Sequence, residues 1–237
     1  MAISIRELDI KALVEGLNFA EKVDRSLALL REAYEEYGDR LVVANSLGKD
    51  SCVVWHLAKR VSPDIRGFVV TTRFKPAETI AFMNETVHEY PELKVYRGDA
   101  EIADKLYETA PDACCDALKV EPTRQAIREM NVGCWVTGLR CTEGRTRTDF
   151  QEFEERDAGL LKLNPILIWH EREIWQYMAI HQLPVNPLYA LGYRSLGCAP
   201  CTKISTSPDE RGGRWLGTSK CGGECGIHTR PLLEYEI

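Results

Sequence analysis

Apolar residues recur at helical spacing over the first forty positions, and from residue 41 the pattern changes to short apolar runs alternating with amphipathic stretches. Residues 6–37 place Leu8, Ile10 and Leu13, then Val23, Leu27, Leu30 and Tyr34, on helical faces, which predicts two helices stopped by Gly38. The run LVVAN predicts a strand followed by a helix near 50–60. GFVVTT predicts a second strand, with a helix from Pro76 to about Tyr90 after it. LKVYRG, a helix near 122–131, the strand CWVTGL, the run LLKLNPIL and a helix at about 171–182 complete the series. Strands alternating with helices predict an α/β fold with a parallel sheet and helical crossovers. From Leu183 onward Pro, Gly and Cys punctuate a stretch with little periodicity, which predicts an irregular tail. The chain thus divides into N-terminal helices at 1–39, an α/β unit at 40–190 and a tail at 191–237.

Composition narrows the picture. A chain of 237 residues holds one main domain and a smaller appendage. Its net charge of −6 offers no general attraction for phosphate polymers, so no nucleic-acid partner is expected. Arg6, Glu7, Asp9 and Lys11 interrupt any apolar start, and no later run reaches membrane-spanning length. A cytoplasmic protein with no membrane association is expected.

Nine cysteines are many for such a chain, and an odd number cannot all pair internally. Metal binding or catalysis explains them better. Cys114 and Cys115 are adjacent, Cys198 and Cys201 form C-x-x-C, and Cys221 and Cys225 lie near the end. Four thiolates at 114, 115, 198 and 201 suit Zn²⁺ or a [4Fe–4S] cluster. Adjacent cysteines point their side chains apart, which suits the separated corners of a cluster better than one small ion. Cys52 and Cys134 sit in apolar runs and read as packing.

Ser46-Leu47-Gly48-Lys49-Asp50-Ser51 stands where the strand LVVAN turns into the next helix. Small residues there let backbone N–H groups approach an oxyanion, and the helix N-terminus adds a favourable dipole. The spacing is not that of a Walker loop. In this context the loop resembles the PP-loop of adenine-nucleotide α-hydrolases and of the related sulfonucleotide reductases.

Further motifs carry that resemblance. Cys114-Cys115-x-x-x-Lys119, Thr137-Gly138-Leu139-Arg140, Val185-Asn186-Pro187-Leu188, Gly192-Tyr193, Gly197-Cys198-Ala199-Pro200-Cys201-Thr202, Arg211-x-x-Arg214-Trp215 and Glu224-Cys225-Gly226-Ile227-His228 occur in that order. Over residues 40–230 they resemble the iron–sulfur reductases of adenosine 5′-phosphosulfate (APS). The resemblance implies a PP-loop-type parallel sheet and a [4Fe–4S] cluster on Cys114, Cys115, Cys198 and Cys201. It implies that Cys225 attacks the sulfur of APS, or of its 3′-phosphorylated form PAPS, expelling AMP and leaving an S-sulfocysteine. Thioredoxin or a similar thiol then releases sulfite for assimilation.

Charge repulsion between thiolate and sulfonate demands cations at such a site. Lys119 and His228 are the expected catalytic companions of Cys225. The expected substrate contacts are Ser46, Gly48, Lys49, Asp50, Ser51, Thr72, Arg73, Arg140, Arg211 and Arg214. A homo-oligomer is the expected assembly.

Three departures from the family pattern matter. Lys49 and Asp50 are similar to ATP-hydrolysing PP-loop enzymes, which keeps open an ATP-dependent enzyme with an iron–sulfur cluster, such as a tRNA thiolase or a sulfurylase-like adenylyltransferase. Val70-Thr71-Thr72-Arg73 replaces Leu-Asp-Thr-Gly, so Arg73 either pairs with a 3′-phosphate or turns to solvent. Cys221, four residues before Cys225 across a Gly-Gly pair, is a candidate resolving thiol.

Overall fold

A computed structural model describes residues 3, 5, 7–103, 105–144, 147–220 and 223–233. Helix α1 (Ile10–Gly16) leads into α2 (Phe19–Tyr37), whose start is fixed by a reciprocal capping box between Asn18 and Glu21. Gly38, at φ +54°, ends α2 in a conformation that favours glycine.

Then come β1 (Leu41–Ala44), α3 (Lys49–Val61), β2 (Arg66–Thr72), α4 (Ala77–Glu89) and β3 (Leu93–Gly98). Two short helices, α5 (Leu106–Thr109) and α6 (Pro111–Cys115), precede a π-helical turn at Asp116–Val120 and α7 (Glu121–Glu129). Strands β4 (Cys134–Val136), β5 (Phe153–Glu155) and β6 (Leu161–Leu163) and helix α8 (Glu171–Ile180) follow, and α9 (Gly226–Thr229) lies in the tail.

The sheet order is β3-β2-β1-β4-β6-β5, parallel except for β5, which pairs antiparallel with β6. The parallel α/β architecture expected from the alternating pattern is present. β1 and β4 are neighbours, yet the chain leaves β1 toward β2 on the other side. Their carboxyl ends therefore border the crevice where open sheets of this kind bind ligands.

Core packing ties the first helices to the sheet. Leu27, Leu30 and Ala33 of α2 share one apolar cluster with Leu41 and Val43 of β1 and with Val53, Val54 and Leu57 of α3. A buried ion pair, Lys22 with Glu173 at 3.1 Å, fastens α2 to α8. Among the described residues no helix is long and apolar enough to cross a membrane.

Close backbone approaches position the crevice. A Cβ at Gly138, just past β4, would lie 2.9 Å from the amide nitrogen of Ser51, so the absent side chain lets this loop rest on the start of α3. At the end of β3, a Cβ on Gly98 would lie 2.0 Å from the carbonyl oxygen of Leu118 in the π-helical turn. Neither backbone can yield without moving the other, so Gly98→Ala is expected to cost about 2–3 kcal/mol. The melting temperature should fall by roughly 4–10 °C. Because Lys119 follows Leu118, turnover should fall as well; a thermal melt beside an activity assay checks both.

Candidate functional site

The loop after β1 is organised by its own side chains. Asn45 Oδ1 accepts the Leu47 N–H at 2.8 Å and the Ser51 hydroxyl at 3.1 Å, and Ser51 Oγ in turn accepts the Ser46 N–H at 3.1 Å. Leu47 takes a φ of +66° to make the turn. The result is a shallow cradle in which Ser46, Gly48, Asp50 and Ser51 line a cavity of about 190 Å³.

Lys49 does not join them. Its side chain is buried, and its ammonium lies 3.0 Å from Glu210, donates to the Arg194 carbonyl at 3.0 Å and is 3.5 Å from Asp50. Burial alone would lower its pKa, but Asp50, Tyr189 and Glu210 together hold it above the ordinary lysine value. Arg140 is likewise outside the cavity lining. It has no exposure, and its guanidinium bonds to Asp50, to Glu210 at 2.6 Å and to Thr142 at 3.1 Å. Two cations and two carboxylates thus form a buried lattice behind the cradle.

Arg73 is exposed; it donates to the Ile102 carbonyl at 3.4 Å and lies over the Phe74 ring at 5.2 Å. Thr72 is buried with its hydroxyl 3.3 Å from Cys198 Sγ, on the thiol side and not on the cavity wall.

The four expected ligands converge. Cys114 and Cys115 close α6, where Pro111 serves as an N-terminal helix residue without a needed N–H. Cys198 and Cys201 flank a 3₁₀ turn (Ala199–Cys201), pinned by an Ala199 N–H donating to the Phe74 carbonyl at 2.8 Å and a Trp215 N–H donating to the Cys201 carbonyl at 2.9 Å. All four thiols are buried.

Burial and the charges of Cys115, Cys198 and Cys201 push Cys114 up to about 11. Burial also opposes ionisation of Cys198, but Lys119, Lys75, the Thr72 hydroxyl and Arg214 outweigh it and leave that thiol below its ordinary value. Among the described residues, no group of three or more His, Cys, Asp or Glu side chains is arranged to hold a single metal ion. A set of four soft thiols, free of carboxylates and imidazoles, fits an iron–sulfur cluster by donor chemistry.

Cys225 is half-buried, touches the cluster of Cys198, Cys201 and Trp215, and lines the cavity with Lys119, Arg211, Arg214 and His228. The π-helical turn carries Lys119 from the cysteine pair to this wall. Burial alone would lower its pKa, yet Cys198, Cys225 and Cys115 hold it above the ordinary lysine value. His228 stacks on Trp135, with ring centres 5.7 Å apart and planes 13° from parallel. Burial first, then Lys162 and the nearby arginines, hold its pKa well below 6.5, so the imidazole is neutral at physiological pH. Arg214 bonds to the Leu196 carbonyl and stacks on Trp215 at 4.5 Å.

Arg147 and Lys75 line the cavity without belonging to any motif in the sequence, and Glu224 joins them from the tail motif. Arg147 and Arg211 both bond to the carboxylate of Glu224, at 2.7 and 3.0 Å, and Arg147 also pairs with Glu143. Glu224 Oε1 accepts the Cys225 N–H at 2.7 Å, so the preceding residue fixes the backbone of Cys225. Burial would raise the Glu224 carboxyl, but the Arg147 hydrogen bonds and both arginine charges hold it far below the usual range. Lys75, half-buried beyond the carboxyl end of β2, also lines the cavity, and burial followed by the charge of Lys119 lowers it to about 8. Its place just past a strand end is the signal that identifies it.

Beyond Cys225, Arg156 donates to the carbonyls of His228 and Arg230 at 3.0 Å each, and Arg230 pairs with Asp116. Cys221 lies outside the described residues.

The sequence profile of the phosphoadenosine phosphosulfate reductase domain matches residues 40–204. An adenosine 5′-phosphosulfate reductase of Halalkalibacterium halodurans is 35% identical over 230 residues, covering 92% of this chain and 98% of its own. Another, from Streptomyces coelicolor, is 36% identical over 231 residues, covering 93% of this chain and 95% of its own. In three dimensions the chain is similar to a phosphoadenylyl-sulfate reductase from Candida auris solved as a phosphate complex. The TM-score is 0.67 at 23% identity, over 86% of this chain and 100% of that one. This last likeness speaks for the fold.

Proposed function

The chain belongs to the phosphoadenosine phosphosulfate reductase family, and from that premise we propose that it is a cytoplasmic sulfonucleotide reductase of sulfate assimilation whose substrate is APS. The observation that carries this reading is the convergence of Cys225, a phosphate cradle and a set of cations on one cavity, with four further thiols grouped beside it.

Ser46, Gly48 and Ser51 border the space for the adenylate phosphate, supported by the start of α3. Cys225, backed by Lys119, attacks the sulfur as a thiolate. A bond forms between Sγ and that sulfur while the sulfur–oxygen bond of the anhydride breaks, and AMP leaves with the electron pair. Neutral His228 is suited to donate or accept a hydrogen bond at this wall and adds no fixed charge. A dithiol such as thioredoxin then attacks the S-sulfocysteine and becomes a disulfide. Sulfite departs, and Cys225 regains its thiol.

Cys114, Cys115, Cys198 and Cys201 would hold a [4Fe–4S] cluster, which supplies local charge and a tie between α6 and the tail. APS is favoured over PAPS because Arg73, which could either meet a 3′-phosphate or turn outward, is exposed to solvent. The engagement of Lys49 with Glu210 removes the main argument for ATP use.

The test is anaerobic incubation of the full chain with labelled APS. AMP release and a sulfonated tail peptide are expected; ATP consumption without either product would replace this reading with the PP-loop alternative. Anaerobically purified protein should also carry about four irons. Changing Cys114, Cys115, Cys198 or Cys201 to Ser should remove them and bleach the visible absorbance. One equivalent of zinc in place of iron would refute the cluster.

A further inference from the structure

Five cationic side chains border the cavity: Lys75, Lys119, Arg147, Arg211 and Arg214. Three are already engaged. Arg147 and Arg211 bond to Glu224, and Arg214 donates to the Leu196 carbonyl. Lys119 and Lys75 have ammonium groups with no hydrogen-bonded carboxylate among the described residues. Lys119 arises from the cysteine segment. Lys75 approaches from the carboxyl end of β2.

The backbone around Lys75 is fixed. Its N–H donates to the Thr72 carbonyl at 3.1 Å, and the Phe74 carbonyl accepts the Ala199 N–H at 2.8 Å. The Phe74 ring packs edge-on against Tyr107 with centres 5.4 Å apart. Pro76 follows and holds Lys75 out of α4. The residue is therefore set between the nucleotide-binding sheet and the 198–201 turn. Its ammonium lies within electrostatic reach of Lys119, Cys198, Arg214 and Cys225, which places it toward the thiol end of the cavity.

APS has two anionic groups, and only one is transferred. The cradle suits the phosphate that stays with AMP. The sulfonate must sit beside Cys225, where a thiolate brings a further negative charge and the demand for a free cation is greatest. We propose that Lys75 is a substrate-binding residue for the transferred sulfonate, donating to its oxygens in bound APS and in the S-sulfocysteine, while making no contact with AMP. This assignment rests on the reading of the cavity as a sulfonucleotide site.

The test compares two ligands that differ by the sulfonate. Equilibrium binding of APS and AMP is measured on the full-length, cluster-loaded chain in a Cys225→Ser background, with Lys75 intact or changed to Met. APS affinity should fall by about 10- to 100-fold, the range for one charge-assisted hydrogen bond. AMP affinity and iron content should stay within about twofold, a change too small to represent loss of such a bond. Lys75→Arg should recover much of the APS affinity. With Cys225 intact, single-turnover sulfonation of Lys75→Met should be slowed.

Equal loss for APS and AMP, loss of iron, or no change in either ligand would overturn the assignment. If Lys75→Met does not fold, the Arg and Gln variants decide in the same way: Gln must weaken APS and spare AMP. Failure of the otherwise unaltered chain to release AMP from APS would instead refute the function, which separates the two outcomes.

Discussion

Cys225→Ser is expected to bind APS and AMP with near-normal affinity, yet form no sulfonated tail and release no sulfite. The turnover loss should be on the order of 10⁴-fold or more, the scale of removing a covalent nucleophile. A serine hydroxyl needs a base to become nucleophilic. The imidazole nearest in sequence, His228, is stacked on Trp135 and shifted well below 6.5. Binding should survive because Cys225 makes no side-chain hydrogen bond among the described residues, while the Glu224 bond to its backbone N–H is indifferent to the side chain. Mass spectrometry of the tail peptide after a single turnover reads the result directly. A sulfonated serine, or sulfite at an unchanged rate, would remove Cys225 from the mechanism.

Arg140→Ala should act on folding far more than on ligand binding. Deleting this guanidinium removes one of the two cations that Asp50 and Glu210 share in a buried lattice, a loss of about 3 kcal/mol, the lower end for a broken buried pair because Lys49 remains. Burial would raise the Asp50 carboxyl, but Arg140 and Lys49 outweigh it and lower the pKa from 3.8 to about 2. A group depressed in the folded state stabilises above its unfolded pKa and loses that contribution as pH falls through the folded value. The unaltered chain should therefore lose this contribution between about pH 4 and pH 2. In Arg140→Ala the acid transition should begin at higher pH. Urea unfolding across that range checks the shift. AMP affinity of the folded variant should be nearly unchanged, and its collapse would return Arg140 to the role of a ligand.

The contrast between Arg140 and Cys225 shows what was legible in the sequence. The two cysteine pairs and the cradle are short patterns visible along the chain, whereas Cys225 is singled out through the resemblance of its tail motif to a known family. The parallel strands were equally legible, since fully apolar runs such as LVVA and CWV belong to buried positions. β5 was not, because Phe153-Glu154-Glu155 is three residues long and mostly polar, as befits an antiparallel edge. Lys49 and Arg140 look like phosphate ligands from their positions in the loops after β1 and β4. Their orientation is decided by Glu210, which lies 161 residues after Lys49 and was not visible as a partner. Lys75, Arg147 and Glu224 were missed as cavity residues for a related reason. An isolated charge beside a turn reads as a solvated surface until the fold brings the opposite wall to it.

The contacts on the two sides of Cys225 differ in their exposure to water, and that difference sets which of them salt weakens first. Upstream, Glu224 and Arg147 each have a side chain only 6% exposed, so dissolved ions hardly screen their attraction. Downstream, Arg230 and Asp116 are 37% and 32% exposed, and salt weakens their pair readily. Salt therefore weakens the downstream ion pair before the upstream one. Rising ionic strength should loosen the Arg230–Asp116 contact first, while the Glu224 anchor stays on Cys225 and buried Leu232 keeps the segment after His228 on the fold.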